Sequence, residues 1–430
     1  MRPISQAALV AAVAVLAAAA RPALAQSGAD ARMIAAVARA DSAVAQAVSD
    51  NKTGGAVLLV AWNGRVIHRR AFGWAQRYDY DLKPLAEPVA MHDTTAFDMA
   101  SVTKVLATTM GIMKLVDEGK VKLDAPVYTY LPHFRGPHLD SITPRLLLQH
   151  ASGLQEWYPT YYRASTTREV YHLIQGLPLG FGVGQGRHYS DLGFMLLGDI
   201  VTFVTGVPIN QYVRSEFYRP LGLRRTMFIP KTQGLGDIAA TEHGNAYERH
   251  MVYDPSFSGY KTGLDPKSWD WWRRYTLVGE VNDGNAWYGN GGIAGHAGLF
   301  SDADEAAVLL QLLLNKGAYG GKRYLRAATI DTFMAKDRFN NALGWMVPDG
   351  LPAGSFMHTG FTGTYVLGVP RAGLAVVLLC NRQNVGTDEK GQFPDLQPLR
   401  GFVARTLAGA ALPATSPAPS GGAGGTPGRP

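Results

Sequence analysis

Cysteine is almost absent from this chain of 430 residues, which excludes one way of stabilising the fold. The one cysteine, Cys380, directly follows the apolar run 375–379, and that position predicts a buried thiol rather than a reactive one. A single thiol leaves no intramolecular disulfide. The eleven histidines are scattered, and no cluster of histidine and cysteine has the spacing of metal ligands. The sequence therefore predicts neither a metal nor another cofactor.

Concentrated charge of one sign is also missing. The formal net charge is +7, but the basic residues are dispersed, and the densest pairs are Arg69-Arg70 and Arg273-Arg274. Neither pair makes the basic patch that a nucleic-acid-binding surface needs. We therefore expect no nucleic-acid partner. A small-molecule or peptidoglycan-derived substrate suits a moderately basic chain.

Long hydrophobic runs are missing except at the N-terminus. There Arg2 precedes the continuous apolar run Ala7–Ala20, and Ala23–Ala25 supplies a small-residue cleavage site. The run is shorter than the ~20 residues that span a bilayer. The pattern predicts a signal peptide over residues 1–25, cut after Ala25, and hence a periplasmic or secreted protein without a transmembrane anchor.

The other end of the chain lacks the residues that build a core. Residues 413–430 are mainly Pro, Gly, Ser and Ala, a composition that predicts a disordered tail. One folded domain is therefore expected over residues 26–412.

Strand patterns are present near both ends of that domain. Asn63-Gly64 separates the apolar runs 56–60 and 66–68, and Asn-Gly in that setting is the strongest short hairpin signal. A second strand pair is predicted over 364–369 and 374–379. Strands at both ends with helical patterns between them predict one antiparallel sheet assembled from both termini, with a helical region inserted.

One short motif carries chemistry. Ser101 and Lys104 lie one helical turn apart at the start of a helical apolar pattern that Gly119 ends. A lysine held beside a serine can take its proton and so activate the hydroxyl as a nucleophile. The same spacing occurs in Ser49–Lys52 and Ser258–Lys261, but no helical pattern follows either lysine. The favoured interpretation is acyl transfer on Ser101; the alternative is a core helix capped by a serine.

Two further triplets complete the constellation. Tyr189-Ser190-Asp191 precedes a helical run and offers a proton relay, although a packed tyrosine would give the same pattern. His358-Thr359-Gly360 precedes a predicted strand, where a small residue lets substrate approach the backbone. Lys261-Thr262-Gly263 is a rival to the second triplet, but no strand pattern follows it.

These three elements, in this order, resemble the serine β-lactamase and penicillin-binding-protein family, and most closely its class C-like branch of low-molecular-mass DD-peptidases and related esterases. Segments 147–154 and 292–301 look like supporting parts of the same family. The resemblance covers roughly residues 54–407. It implies an α+β fold with three layers, α/β/α. In that fold an antiparallel sheet is flanked by helices, and the site lies between the sheet and an all-helical subdomain.

The resemblance also implies roles. Ser101 would be the acylated nucleophile, and Lys104 its base or proton shuttle. Tyr189 would protonate the leaving group. His358 would be the fourth catalytic residue, and the backbone N–H groups of Ser101 and Phe361 would hold the oxyanion. The substrate-binding residues would be Asp191, Thr359, Gly360 and Phe361.

Two residues depart from the commoner family pattern. Asp191 stands where asparagine is commoner, and it places a carboxylate beside Lys104. His358 stands where lysine is commoner, so we expect a cationic charge there that depends on pH near neutrality. Both changes reduce positive charge where a substrate carboxylate would bind.

Three functions remain open on the sequence. The first is an exported serine hydrolase of the penicillin-binding-protein type, acting on a cell-wall D-alanyl peptide or a related amide or ester. The second is a carboxylesterase on the same scaffold. The third is a non-catalytic envelope-binding or sensor protein. The aromatic region 247–288 is open as well, since it predicts either a packed loop or a wall of the substrate cleft.

Overall fold

A computed structural model describes residues 29–412. The predicted signal peptide 1–25 and the predicted tail 413–430 lie outside these residues. The central feature is a six-stranded sheet in the order β11-β12-β13-β1-β2-β3, in which every neighbouring pair is antiparallel. Its strands are β1 Gly55–Trp62, β2 Arg65–Asp79, β3 Lys83–Ala90, β11 Phe356–Thr359, β12 Tyr365–Val369 and β13 Leu374–Cys380.

Seven shorter strands form three small sheets. These are β4 Phe97–Asp98 with β8 Leu299–Ser301 and β5 Met227–Phe228, then β6 Ala240–His243 with β7 Thr276–Val278, and β9 Ala318–Tyr319 with β10 Lys322–Arg323. Helix α1 spans residues 29–49. The other α-helices are α2 Met110–Asp117, α3 Pro144–Leu148, α4 Thr167–Gly176, α5 Asp191–Thr205, α6 Ile209–Val213, α7 Ala246–Tyr253, α8 Pro255–Ser258, α9 Ala303–Leu314, α10 Ala327–Met334 and α11 Gln397–Ala411.

A helical layer covers each face of the sheet, and the central strand β1 is therefore buried along almost its whole length. Its alternate residues Leu58 and Val60 pack with α1 and α11 in one apolar cluster. Val57 and Leu59 face the opposite way and join the larger cluster, which contains α2, α5 and α9. Alternation along a strand sends successive side chains to opposite faces. The predicted α+β fold, with a sheet between two helical layers, is therefore confirmed.

Both predicted strand pairs form. Asn63 and Gly64 make the turn between β1 and β2 with φ of 50° and 77°, the left-handed conformations that a two-residue hairpin turn requires. The second pair joins β12 to β13. Because β1 also pairs with β13, from Ala56 opposite Cys380 to Trp62 opposite Leu374, the two ends of the chain meet in the middle of the sheet.

Asn381 closes the end of that central pair. Its buried side-chain oxygen accepts the N–H of Gly55 at 2.7 Å, and its amide donates to the carbonyls of Trp74 at 3.2 Å and Ala75 at 2.9 Å. One amide thus satisfies backbone groups where β1 and β2 lose their ladder partners.

No single helix within residues 29–412 is long and apolar enough to cross a membrane. By length and composition alone, the bent pair Asp191–Thr205 and Ile209–Tyr218 passes the same test, with 73° between its two parts.

Substituting Asn381→Ala should destabilise the fold by about 3 kcal/mol, because it leaves several buried backbone groups without partners. The measurement is urea unfolding followed by circular dichroism. Asn315→Ala, at an exposed position after α9, is the control and should change the free energy of unfolding by no more than about 0.5 kcal/mol. Equal effects of the two substitutions would contradict the structural role assigned to Asn381.

Candidate active site

The nucleophile lies on a turn that carries backbone strain. Strand β4 runs into Ala100, which precedes Ser101 and has a φ of 44°. A left-handed conformation is unfavourable for a residue with a Cβ. The side chain of Asp98 accepts the N–H of Ala100 at 2.8 Å, and the hydroxyl of Thr364 donates to the carbonyl of Met99 at 3.0 Å. These bonds hold the serine turn against the end of the sheet.

The helix after Ser101 is less regular than its sequence predicts. A 3₁₀ turn over Ala100–Val102 leads into a π-helical stretch, Lys104–Thr109, and only then into α2. Gly119 follows the end of this helix with a φ of 73°, so the predicted stop is confirmed. Mixed winding of this kind is common at functional sites. It leaves Ser101 and Lys104 on one face.

Lys104 is the centre of the site. Its side chain is 0 % exposed, and its Nζ lies 2.9 Å from Ser101 Oγ, 2.6 Å from Asp191 Oδ1 and 3.2 Å from the carbonyl oxygen of His296. An ammonium group has three hydrogens, and four oxygens surround it here when the Tyr189 hydroxyl is counted. Burial by itself lowers the pKa of Lys104, but the negative charge of Asp191 and the contact with Tyr189 outweigh burial and raise it. The resting lysine is therefore a cation.

Tyr189 lies beside this cation. Lys104 Nζ is 4.8 Å from the centre of the tyrosine ring, and the hydroxyl contacts Lys104 and Ser101. Burial raises the pKa of Tyr189, although Lys104 opposes the shift. The hydroxyl therefore keeps its proton at rest. Ser190 begins α5 by accepting the N–H of Gly193 at 3.1 Å, which fixes both of its neighbours at a helix start, as predicted.

His150 is a neighbour that the sequence placed only within a supporting segment. Its ring centre lies 4.4 Å from that of Tyr189. The backbone N–H of Ser190 donates to its Nδ1 at 2.9 Å, so the ring proton sits on Nε2. Burial, with help from nearby cations, lowers the pKa of His150 far below its usual value. The ring is a neutral wall of the site.

The prediction that the charge of His358 changes with pH near neutrality is wrong. The ring is 0 % exposed, and burial together with the nearby Lys104 lowers the pKa of His358 to about 3. Its Nδ1 donates to the carbonyl of Thr359 at 2.9 Å, which leaves Nε2 as a neutral acceptor. The His358 ring is therefore uncharged at physiological pH, because burial and the neighbouring Lys104 cation both disfavour a second positive charge.

Packing within the protein is enough to require glycine at position 360. A Cβ on this glycine would lie 2.1 Å from Thr364 Oγ1 and 2.6 Å from the carbonyl of Met99. Glycine is therefore required so that this turn can pack against the serine turn. Close approach of substrate is not needed to explain it.

Two arginines, the buried Arg400 and the half-buried Arg382, hold the turn that follows β11. Arg400 donates to the carbonyls of Gly360 and Thr364, each at 3.2 Å, and Arg382 donates to the carbonyl of Phe361 at 2.8 Å. Neither arginine was singled out in the sequence. A guanidinium bound to the carbonyl of Gly360 polarises the peptide whose N–H belongs to Phe361.

The predicted oxyanion donors are available. Among residues 29–412, no hydrogen bond occupies the backbone N–H of Ser101 or of Phe361. The Phe361 side chain is 38 % exposed and packs 5.0 Å from the ring of Tyr247. The Thr362 hydroxyl ties this turn to the carbonyl of Asp98 at 2.7 Å.

A loop before β8 supplies the third partner of Lys104. The carbonyls of Gly295 and His296 accept from Thr108 at 2.6 Å and from Lys104. The buried His296 ring is bound to Asp283 at 2.8 Å. A Cβ on Gly295 would lie 2.0 Å from the carbonyl of Phe194. The glycine lets the loop press against α5, which explains why a supporting segment has this composition.

A pocket of about 270 Å³ adjoins the site. Its border is shared with the site, because Asp191 donates its N–H to the carbonyl of Glu156 at 2.9 Å. The hydroxyl of Tyr260 reaches the Glu156 carboxylate at 3.2 Å. The lining residues are Gln155, Glu156, Trp157, Tyr158, Gly180, Phe181, His188, Gly259, Tyr260, Lys261 and Thr262.

The packed-loop interpretation of the aromatic region 247–288 is confirmed for part of it, and the cleft-wall interpretation stays a prediction. Tyr260 borders the pocket, whereas Trp269, Trp272 and Tyr288 pack around Tyr161 in a buried aromatic cluster. The rejected Lys261 triplet forms no strand. Within the described part of the chain, no group of three His, Cys, Asp or Glu residues is placed to hold a metal ion.

His358 should remain neutral from pH 9 down to pH 5, because its pKa lies near 3. The imidazole ¹⁵N shifts of the labelled protein report this directly, and His358→Gln identifies the signal. Activity should therefore show no limb that arises from this ring near neutrality. A His358 titration centred between pH 6 and 7 would contradict the effect of burial on this ring.

Comparisons with known proteins point to the same family as the three motifs. A sequence model of the family described as Beta-lactamase matches residues 40–396. The N-acetylmuramyl-L-alanine amidase of Bacillus subtilis is 32 % identical over 370 residues, covering 80 % of this chain and 80 % of that protein. A putative D-alanyl-D-alanine carboxypeptidase of Escherichia coli is 33 % identical over 374 residues, covering 78 % of this chain and 82 % of that protein.

Among solved structures, EstCE1, described as a hydrolase with promiscuous acyltransferase activity, aligns with a TM-score of 0.63 at 21 % identity. The alignment covers 87 % of this chain and 99 % of that one, which shows a common fold. The resemblance drawn from the three motifs is thus confirmed. The relatives also favour an enzyme over the non-catalytic protein that the sequence had left open. The chain belongs to the beta-lactamase family and is a serine hydrolase.

Proposed function

We propose that this chain is an exported hydrolase that forms an acyl-enzyme on Ser101 and cleaves a cell-wall D-alanyl peptide or a related amide or ester. One observation carries the proposal. Ser101 Oγ lies 2.9 Å from a buried lysine and at the end of a strained turn, where a hydroxyl can be activated. Export rests on the predicted signal peptide.

The residues divide the reaction between them. Ser101 Oγ attacks the substrate carbonyl and gives up its proton toward Lys104. The N–H groups of Ser101 and Phe361 receive the negative charge that develops on the carbonyl oxygen. Tyr189, which holds its proton at rest, donates that proton to the leaving group. Water then hydrolyses the ester on Ser101.

Two kinds of support favour a cell-wall amide. Both curated relatives named above are hydrolases of alanine amide bonds by their names. A moderately basic chain is also suited to the anionic polymers of a cell envelope.

The carboxylesterase alternative has one specific observation in its favour. His358 is neutral and Asp191 is a carboxylate, so the site offers little positive charge to a substrate carboxylate. Besides Lys104 and Arg400, Arg187 is a cation close to the site. Its charge acts on His150, Tyr189 and His358, and its Nε is buried without a hydrogen-bond partner in the described part of the chain. Whether Arg187 meets a substrate carboxylate separates the two functions.

Incubation with a penicillin should give a covalent adduct whose mass persists on the wild type and is absent from Ser101→Ala. The reason is that only the wild type has the hydroxyl that forms the ester. Intact-mass spectrometry over time is the measurement, and peptide mapping places the adduct. An adduct on Ser101→Ala, or full hydrolysis of an aryl ester by that variant, would rule out Ser101 as the nucleophile.

Arg187→Met should lower kcat/KM for a D-alanyl-D-alanine peptide by roughly tenfold or more, since a hydrogen bond to a charged group contributes about 1.5–3 kcal/mol. A neutral aryl ester should be hydrolysed at the wild-type rate. Arg168→Met, on the exposed face of α4, is the matched control. If the peptide is turned over slowly by the wild type and the substitution affects neither substrate, the esterase function is favoured.

A further inference from the structure

We propose that Asp191 is the proton acceptor behind Lys104, so that the serine proton moves to the lysine as a lysine proton moves to the aspartate. This inference rests on the proposed function and assigns the aspartate a catalytic part in it. The resemblance implied a substrate-binding role for the same residue.

The need for an acceptor follows from the hydrogens of Lys104. Its ammonium group has three hydrogens, and its Nζ lies within 3.2 Å of Ser101 Oγ, Asp191 Oδ1 and the carbonyl oxygen of His296, with the Tyr189 hydroxyl as a fourth neighbour. A lysine in this state donates to the serine oxygen and has no lone pair for the serine proton. One hydrogen must therefore leave Lys104 before or while Ser101 loses its own.

Among the oxygens around Lys104, Asp191 offers the best acceptor for that hydrogen. The carbonyl of His296 is a peptide oxygen with negligible basicity, Ser101 is the group to be deprotonated, and the Tyr189 hydroxyl keeps its own proton. Asp191 is a carboxylate in an ion pair with Lys104 at 2.6 Å, and its side chain is 18 % exposed. At that distance a proton can pass directly between the two groups.

The surrounding titratable groups are less suited to the task. His150 carries its proton on Nε2 and accepts on Nδ1, so it has no free lone pair. His358 Nε2 has no hydrogen-bond partner in the described part of the chain, so it does not receive a hydrogen of Lys104. Asp283 is bound to His296 and to the N–H of Ala286. The titratable groups that act on Lys104 or respond to its charge are Tyr189 and Asp191 from the start of α5, His150 after α3, Asp283 before β8 and His358 on β11. His296 contacts Lys104 through its carbonyl, and Arg187, before α5, acts on His150, Tyr189 and His358.

The step balances. The Nζ–H bond to Asp191 breaks, an O–H bond forms on Oδ1, and the lysine becomes a neutral amine. The Ser101 O–H bond then breaks as its proton forms a new N–H bond, the serine oxygen bonds to the substrate carbon, and the carbonyl π pair moves to oxygen. A neutral lysine beside a neutral carboxyl group also avoids two desolvated charges in a buried site. Tyr189 gives its proton to the leaving group and regains one from Lys104, and the proton on Asp191 then returns to the lysine.

The test compares Asp191→Asn with Asp199→Asn. Both substitutions replace an aspartate of α5 by its amide, but Asp199 lies two turns beyond Asp191. The acylation rate with a neutral aryl ester is measured by stopped flow from pH 5 to pH 10. In the wild type, transfer within the pair supplies the neutral amine, so the acid limb belongs to the Lys104–Asp191 pair as a unit. In Asp191→Asn, the neutral amine forms only by loss of a proton to solvent, so the limb becomes the titration of Lys104 alone and should lie at higher pH than in the wild type. Loss of the carboxylate also lowers the pKa of Lys104, so the limb should lie below that of a free lysine, and the rate at pH 5 should fall by roughly 100-fold.

Asp199→Asn should reproduce the wild-type profile, and Asp191→Glu, which keeps a carboxylate, should restore the position of the limb at a reduced rate. A profile of Asp191→Asn that coincides with the wild type would overturn the proposal. So would a profile of Asp191→Glu that coincides with that of Asp191→Asn. If Asp191→Asn does not fold, the comparison of Asp191→Glu with the wild type still tests the proposal. An adduct on Ser101 in the wild type separates failure of this step from failure of the proposed function.

Discussion

A buried positive charge controls this site. Lys104 is fully enclosed, and an enclosed ammonium is tolerated only when its hydrogens are satisfied and an opposite charge lies close by. The surrounding elements supply the required groups from three places: the serine turn, the start of α5 and the loop before β8. Removing one partner would leave a desolvated charge. The ends of these elements are therefore constrained together, although they lie far apart in the chain.

Burial sets the state of the groups around Lys104. It lowers the pKa of both nearby imidazoles, and the Lys104 cation adds to this effect, so both rings are neutral. Burial also raises the pKa of Tyr189 against the opposing charge of Lys104, so the tyrosine keeps its proton. Each imidazole has a fixed direction: His150 is turned by the N–H of Ser190 and His358 by its neighbouring carbonyl. In the proposed reaction, protons move along the chain Ser101, Lys104 and Asp191, with Tyr189 beside it.

Much of this arrangement was predictable, because local patterns determine it. The Asn63-Gly64 turn, the paired terminal strands and the helix starts at Ser101 and Ser190 depend on short-range chemistry that a sequence displays. The charge on His358 was predicted wrongly, since a pKa depends on burial by residues distant in sequence. The arginines behind the turn 360–364 escaped notice for the same reason. Arg400 is an ordinary helical residue until the fold brings it under the carbonyl of Gly360.

The pairing of β1 with β13 has a consequence for how the chain reaches its native state. The partners Ala56 and Cys380 are separated by most of the polypeptide, so the centre of the sheet cannot close until the last strands have been synthesised. Contacts of such high contact order form slowly. The nascent chain therefore carries β1 with one unpaired edge until β13 has been made.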